Sequence, residues 1–130
     1  MPVIEFSEQD IKRGTLVTPA WYLMRIDSIG EAPSKNKENP STNYPVEGVI
    51  LKNSTDGSEE FAGVPIMWNF NSKAKGFITP FLEAFGVKPE AGKRVELNSA
   101  VGKELRVYVE NDTYEGRLIN KVQGKFKAAE

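Results

Sequence analysis

The side chains best suited to binding chemistry lie in the last third of the chain, where charged and aromatic residues alternate with apolar ones. Leu105, Val107 and Val109 recur at every second position, which is the spacing of residues on the buried face of a β-strand. Arg106 and Tyr108 fall between them and therefore point the other way. A guanidinium can pair with a phosphate and a flat ring can stack on any base, so this face is a candidate for holding single-stranded nucleic acid. A solvated strand face would show the same alternation.

This strand is predicted to form one half of a β-hairpin. The strand spans residues 102–110, a polar turn follows at 111–112, and the chain returns over residues 113–122. Arg117 and Lys121 are four positions apart, so they share one face of the returning strand. Both are predicted to contact phosphates.

Further candidate residues occur on the other predicted strands and in the segments between them. Trp21 and Tyr44 lie at strand edges, and Trp68 lies at the end of the third strand. Each of these rings has burial in the core as its alternative, and each lysine has a solvated position as its alternative. The predicted nucleic-acid-binding residues are Arg25, Lys35, Lys37, Tyr44, Trp68, Lys73, Arg106, Tyr108, Arg117 and Lys121.

The composition excludes several kinds of catalytic site. The 130 residues include no cysteine and no histidine, which removes disulfides, thiolate zinc sites, cysteine nucleophiles and the commonest general base. The glycines form neither a phosphate-binding loop nor a dinucleotide-binding motif. Glu59 with Glu60, and Glu110 with Asp112, could hold Mg²⁺, but such pairs at turns are usually solvated. The sequence therefore predicts a protein that is not an enzyme and uses no cofactor or metal.

Charge is unevenly distributed along the chain. The net charge is −1, which argues against binding duplex DNA through a general positive potential. Residues 1–70 carry 6 basic and 10 acidic side chains, whereas residues 71–130 carry 11 and 8. Basic character is thus greater in the C-terminal half, where the candidate strand lies. Because the sequence shows no basic leader and no apolar run of membrane-spanning length, we expect a soluble, cytoplasmic protein.

The order of hydrophobic patterns predicts a single domain over residues 1–130. The elements before the helix are an N-terminal extension with a short helical turn (1–14), a strand (20–29), a long flexible loop (30–43) and two strands (44–52 and 60–68). In the first strand, Tyr22, Met24 and Ile26 are predicted to face inward. The loop is long for a hairpin, which is typical of a segment that orders on a ligand.

A helix is predicted over residues 72–86, where the period changes from two to nearly four. The residues of its apolar stripe are Ala74, Phe77, Ile78, Phe81, Leu82 and Phe85. Ser72 is placed to cap the start and Gly86 to end the helix. Pro80 predicts a kink, or a restart with Thr79 as the cap. The stripe indicates that the helix packs on the sheet.

Three strands, one helix and two strands are the element order of the OB-fold. This fold is a five-stranded Greek-key barrel that binds oligonucleotides on its second and third strands and the neighbouring loops. We therefore predict a mainly β, OB-fold-like barrel with one helix between strands 3 and 4. A small β-sandwich with one helix, and an α+β sheet covered on one side, are alternative arrangements of the same elements.

Three segments also indicate a family. The helix segment 77–86, the strand start at 102–103 and the segment 114–120 together resemble bacteriophage single-stranded-DNA-binding proteins of the OB-fold type, over about residues 15–125. The resemblance implies a role in phage DNA replication or recombination, in the cytoplasm of the host cell. It also implies that the partners are single-stranded DNA, replication or recombination proteins and a second copy of the chain. Residues 124–130 do not form the acidic tail through which many single-strand binders recruit enzymes, so such recruitment is not predicted.

The residues and the resemblance together predict a non-catalytic protein that binds single-stranded DNA without sequence preference. The alternative is a non-catalytic module that binds a replication accessory or virion protein through the same aromatic and charged surface. Only the first function requires affinity for an oligonucleotide that falls as salt is added, because binding to phosphates releases counterions.

Overall fold

The computed structural model of the chain describes residues 3–5, 7, 14–33, 41–73, 75–88, 90–92 and 95–129, without the side chains of residues 75, 77 and 123. Two predictions lie outside these residues. One is the helical turn of the N-terminal extension, and the other is the centre of the long loop with Lys35 and Lys37. No helix in the described part of the chain is long and apolar enough to cross a bilayer.

Within the described residues, the chain forms six β-strands, one α-helix and one short 3₁₀ helix. They are β1 (Ala20–Ile29), β2 (Ala32–Pro33), β3 (Thr42–Asn53), β4 (Pro65–Asn71), α1 (Lys75–Ala84), the 3₁₀ helix (Leu97–Ala100), β5 (Glu104–Tyr114) and β6 (Arg117–Ala128). All strand pairs are antiparallel. The chain is therefore mainly β, as predicted.

The long strands form one sheet that curls back on itself. β1 pairs with β3 on one side and with β5 on the other, while β4 continues the sheet beyond β3 and β6 continues it beyond β5. β4 and β6 are thus at opposite ends of the strand order, yet they contact each other and both contact α1. The ends of the sheet can meet only if it curls, so the fold is an antiparallel half-barrel with one helix.

The two-residue strand β2 continues the line of β1. Ile29 and Ala32 pair with β3 in one register, and between them the Gly30 amide donates to the Pro45 carbonyl at 2.8 Å. β2 therefore extends β1 along the same edge of β3 after a short break. The loop predicted over 30–43 is partly strand at both of its ends.

The core contains the residues that the period of two predicts. Tyr22, Met24 and Ile26 of β1 are buried, as expected, and so are the three apolar residues that alternate along β5. In the ladder between the two strands, Tyr22 is opposite Val107 and Met24 is opposite Leu105. Burying one such side chain contributes about 1.5–3 kcal/mol, so this shared row is a major source of stability.

The helix is shorter than predicted but ends where expected. It spans Lys75–Ala84 and contains Pro80. Ser72 lies outside it, so its predicted capping role is wrong; its Oγ accepts a hydrogen bond from the Thr42 amide at 2.9 Å. At the other end, Gly86 has a φ of +77° and donates its amide to the Glu83 carbonyl at 2.9 Å. Glycine adopts this conformation without strain, which explains why the helix stops there.

The strand predicted over 60–68 begins later in the structure. Residues 60–63 form a turn in which the Val64 amide donates to the Phe61 carbonyl at 3.1 Å and Gly63 has a φ of +87°. A residue in the left-handed region cannot continue a strand, so β4 starts only at Pro65.

The final hairpin is longer than predicted and turns at a different place. β5 continues through 111–112 to Tyr114, and the chain reverses at Glu115 and Gly116, whose φ angles are +50° and +78°. Two residues with positive φ are typical of the two-residue turn that matches the twist of a hairpin. The predicted turn at 111–112 is wrong because both polar side chains find hydrogen-bond partners on β6 and pair within the ladder.

Replacing Glu115 by asparagine is expected to stabilise the protein, because asparagine tolerates a positive φ better than glutamate does. We expect Glu115→Asn to raise the free energy of unfolding by about 0.5–1 kcal/mol in urea denaturation. Glu59→Asn also removes an exposed carboxylate, but from a residue without positive φ, and should have a smaller effect. Equal gains in both variants would assign the effect to charge rather than to the turn.

Tyr22 is a buried ionisable group at the centre of the sheet. Its hydroxyl donates to the Thr18 carbonyl at 2.5 Å. Burial, and to a lesser extent the negative charges of Glu60 and Asp56, raise the pKa of Tyr22 above the usual value of 10.0. The native protein therefore holds this proton more tightly than the unfolded chain does.

The raised pKa of Tyr22 predicts a loss of stability in alkali. Above about pH 10 the unfolded chain loses the proton first and binds fewer protons than the native state, so the free energy of unfolding falls as pH rises. This contribution is complete below that pH and is lost as pH rises through the native pKa. Urea denaturation across this range should give a weaker dependence of the free energy of unfolding on pH for Tyr22→Phe than for the unaltered protein, with Tyr114→Phe, at an exposed tyrosine, as the control for loss of a phenol. An unchanged slope in Tyr22→Phe would contradict the prediction.

Candidate nucleic-acid interface

Two aromatic rings lie side by side on the outer face of the central strand pair. Trp21 of β1 and Tyr108 of β5 are directly opposite each other in the antiparallel register. Their ring centroids are 5.6 Å apart and the rings meet edge to face at 62°. Because the neighbouring pair, Tyr22 and Val107, points into the core, the period of two directs the rings outward. Both rings remain partly exposed.

Two lysines of β6 place their ammonium groups over these rings. The Nζ of Lys127 is 4.6 Å from the centroid of the Trp21 ring, and the Nζ of Lys125 is 5.3 Å from that of Tyr108. Both distances are within the range of a cation–π interaction. Lys125 comes from an irregular stretch in which β6 has three residues against one of β5. Lys125 is the first residue of this stretch next to Phe126, so the register that pairs Val107 with Phe126 leads directly to Lys125 beside Tyr108.

Arg106 adds a third cation beside the rings. It lies two residues before Tyr108 on β5 and is opposite Lys127 on β6. Its Nε donates to the carbonyl of Ala128 at 2.6 Å, which holds the guanidinium at the end of β6. We call this group the ring–cation cluster, which consists of Trp21, Arg106, Tyr108, Lys125 and Lys127.

Carboxylates border the cluster along β5. Glu104 and Glu110 share the outer face with Arg106 and Tyr108, and Glu104 is opposite Arg25 of β1. Positive and negative side chains therefore alternate along this face, and no continuous basic surface forms. This agrees with the net charge of −1 and contrasts with the broad basic face that binds duplex DNA.

Arg25, another predicted site residue, lies on the same face but outside the cluster. Its Nε is 2.9 Å from Oδ1 of Asp27, and the two side chains are 48% and 42% exposed. Along β1 it is four residues from Trp21, a distance of about 13 Å. An exposed ion pair of this kind contributes little to stability, so the guanidinium can leave Asp27 for a phosphate at low cost.

Lys121 lies on the ribbon, by which we mean residues 110–121 at the joined ends of β5 and β6. In this stretch the described residues of β5 pair with β6 alone. The Nζ of Lys121 is 2.9 Å from Oδ2 of Asp112. The hydrogen bond from Lys121, together with one from the Thr113 amide, lowers the pKa of Asp112. Lys121 thus already has an anionic partner.

Arg117 is at the tip of the ribbon, opposite Tyr114. Six residues separate Tyr114 from Tyr108 along β5, which corresponds to about 20 Å. The apolar side chains near the tip are unusually accessible, since Tyr114 is 60% exposed and Leu118 is 59% exposed. Arg117 and Lys121 share the outer face with the cluster, as the spacing predicts, but they do not belong to it.

Tyr44 and Trp68 point to the other side of the sheet. Trp68 packs in an aromatic group with Phe70, Phe81 and Phe126, at centroid distances between 5.8 and 6.3 Å. Its indole Nε1 is buried and makes no hydrogen bond. Tyr44 is half-buried and lines a cleft of about 980 Å³ beside α1. The structure therefore does not bring these two rings together with Tyr108.

The remaining predicted residues are lysines. Lys73 is exposed in the turn between β4 and α1, on neither face of the β1–β5 ladder. Lys35 and Lys37 lie outside the described residues. Of the eight predicted residues that the structure describes, it joins only Arg106 and Tyr108 in one cluster.

The cluster also contains residues that the predicted set lacks. Trp21 was an aromatic candidate without an assigned neighbour, whereas Lys125 and Lys127 lie beyond residue 122, where the last strand was predicted to end. A signal for them exists in the sequence: the two lysines flank Phe126, which is buried in the structure. A continued period of two would have extended the strand and placed both lysines on its outer face.

No known protein family matches the chain, and no curated protein is similar to it. No group of three or more carboxylates in the described part of the chain is placed to hold a metal ion.

Proposed function

We propose that the protein binds single-stranded DNA on the outer face of β1, β5 and β6, without sequence preference and without catalysis. The observation that carries the proposal is the ring–cation cluster, in which Trp21 and Tyr108 adjoin three cations. Aromatic rings stack on unpaired bases while cations follow the phosphates. The resemblance to phage single-strand binders favours DNA, and a role in phage replication or recombination in the host cytoplasm.

A single strand fits this surface better than a duplex does. The faces of the bases are accessible only when the strand is unpaired, and the rings have little to stack on in a duplex. Carboxylates lie between the cations along β5, so the face lacks the continuous basic surface that follows the two backbones of a double helix. Binding should therefore be selective for unpaired strands.

We also propose that the half-barrel is an OB-fold. If β2 is taken as an extension of β1, three long strands precede the helix and two follow it, and β1 lies between β3 and β5. That order supports the five-stranded barrel. The proposed surface differs from the usual one on the second and third strands, where the outer face presents Glu47 opposite the exposed Met67 and carries a cation only at Lys52, near the end of β3.

The second candidate function is binding of another protein, and the ribbon favours it. Tyr114, Leu118 and Ile119 are exposed apolar side chains near its tip, and apolar groups on both faces of a strand pair suit a protein partner more than a nucleic acid. A replication accessory protein or a virion component, or a second copy of this chain, would be the partner. This function does not require affinity for oligonucleotides.

The first experiment is fluorescence anisotropy of a labelled oligo-dT, with a duplex of equal length as competitor and a series of salt concentrations. We expect binding to the single strand, weak competition by duplex, and a log–log salt slope of about −0.7 for each phosphate contact. Absence of binding at low salt would remove the nucleic-acid function and leave the protein-binding module as the account of the surface.

Loss of one ring of the cluster should weaken binding of oligo-dT. Stacking contributes about 1–3 kcal/mol per base, so Trp21→Leu and Tyr108→Leu should each reduce affinity roughly tenfold. Leucine keeps an apolar side chain at these half-buried positions, and thermal denaturation of each variant checks its fold. Met67→Ala, on the outer face of β3 and β4, is the matched control. A larger loss in Met67→Ala than in the ring variants would move the interface to the usual OB-fold surface.

A further inference from the structure

The lysines of the cluster cover the ring surfaces that a base would need. Lys127 stands over the ring of Trp21 and Lys125 over that of Tyr108, so each ammonium is on a π-face rather than at a ring edge or away from it. A base also stacks on a π-face. One ring face cannot hold both at the same contact distance, so ammonium and base compete for it.

We propose that Lys125 and Lys127 cap the rings in the free protein and exchange ring for phosphate when a single strand binds. The inference rests on the proposed function and adds to it a specific exchange of partners. In the bound state the bases occupy the ring faces, and the displaced ammonium groups contact the phosphates that flank those bases.

The exchange is feasible because the contacts differ in strength. A cation–π contact at an exposed site corresponds to about a two- to fivefold preference, whereas stacking on one aromatic corresponds to about a five- to 150-fold gain in affinity. Both lysines are exposed, and a lysine side chain has a flexible four-carbon stem. The ammonium can therefore leave a ring without disturbing β6, and in the complex it gains a phosphate as its anionic partner.

The lysines thus have two opposing effects on binding. They hinder stacking by covering the rings, and they favour binding by contacting phosphates. The two effects separate if the charge of the backbone is removed from the ligand. A methylphosphonate oligo-dT keeps its bases but carries no backbone charge, so only the competition for the rings remains.

The test measures the affinity of the unaltered protein and of the Lys125→Gln/Lys127→Gln variant for both ligands. For ordinary oligo-dT we expect weaker binding and a salt slope that is smaller by about 1.4, because two phosphate contacts are lost. For the methylphosphonate oligomer we expect affinity to rise about two- to fivefold, because the rings are uncapped. Lys88→Gln, at an exposed lysine after α1, is the control and should change neither affinity. Weaker binding of both oligomers by the double variant would overturn the exchange.

Nuclear magnetic resonance detects the capped state directly in the free protein and its loss when a strand is added. The ε-methylene protons of Lys127 and Lys125 should be shifted upfield by the rings beneath them, and the shifts should disappear in Trp21→Leu and Tyr108→Leu respectively. Saturation with oligo-dT should return both to ordinary values. Absence of the upfield shifts in the free protein would overturn the capped state.

The outcomes separate the exchange from the function on which it rests. If oligo-dT binds and the lysine signals stay upfield, the exchange is wrong while single-strand binding stands. If the signals are upfield and no oligonucleotide binds at low salt, the proposed function fails and the exchange fails with it, whereas the resting contact remains as a structural feature of β6.

Discussion

The pairing of β1 with β5 is the constraint on which the rest of the structure depends. One register places Tyr22 opposite Val107 in the core and, at the next position, Trp21 opposite Tyr108 on the outer face. A slip of one residue would exchange the two faces, burying the polar side chains and exposing the apolar ones. Because the slipped pairing would be much less stable, the observed register is strongly favoured. Burial of the core side chains therefore specifies the register, and the register fixes the distance between the two outer rings. No separate interaction is needed to align them.

Much of the fold follows from patterns within single segments. The alternation along β1 and β5 was sufficient to identify their buried faces, and the stripe before Gly86 was sufficient to identify the helix and its end. The final turn was not predicted because Asn111 and Asp112 have the composition of a turn. In the structure the Asn111 amide donates to the Val17 carbonyl and to Asn120, and Asp112 accepts a hydrogen bond from Lys121. Such partners become known only when the strand pairing is known.

The candidate site was less predictable than the fold for the same reason. Alternation shows that Arg106 and Tyr108 face outward, but it does not show which residues of other strands lie beside them. Trp21 joins them through the register of β1, and Lys125 and Lys127 join them through the register of β6. Trp68 is a tryptophan like Trp21, but it lies on the opposite face of the sheet. A set of binding residues chosen by type alone therefore mixes two surfaces, which only the three-dimensional pairing separates.

The position of the cluster within the sheet also bears on how it can bind. β1 has a paired neighbour on each side, so the rings are held by strands whose core-facing residues are fully buried. Asn111 and Asn120 attach the base of the ribbon to the backbone of Thr15 and Val17. Beyond them the ribbon has only its own two strands and carries exposed apolar groups, and an isolated strand pair is marginally stable. Stacking benefits from rings that are already in place, because little conformational entropy is then lost on binding. The central strands therefore suit the stacking step, while the tip of the ribbon, beyond Asn111 and Asn120, is the part that can adjust to a partner.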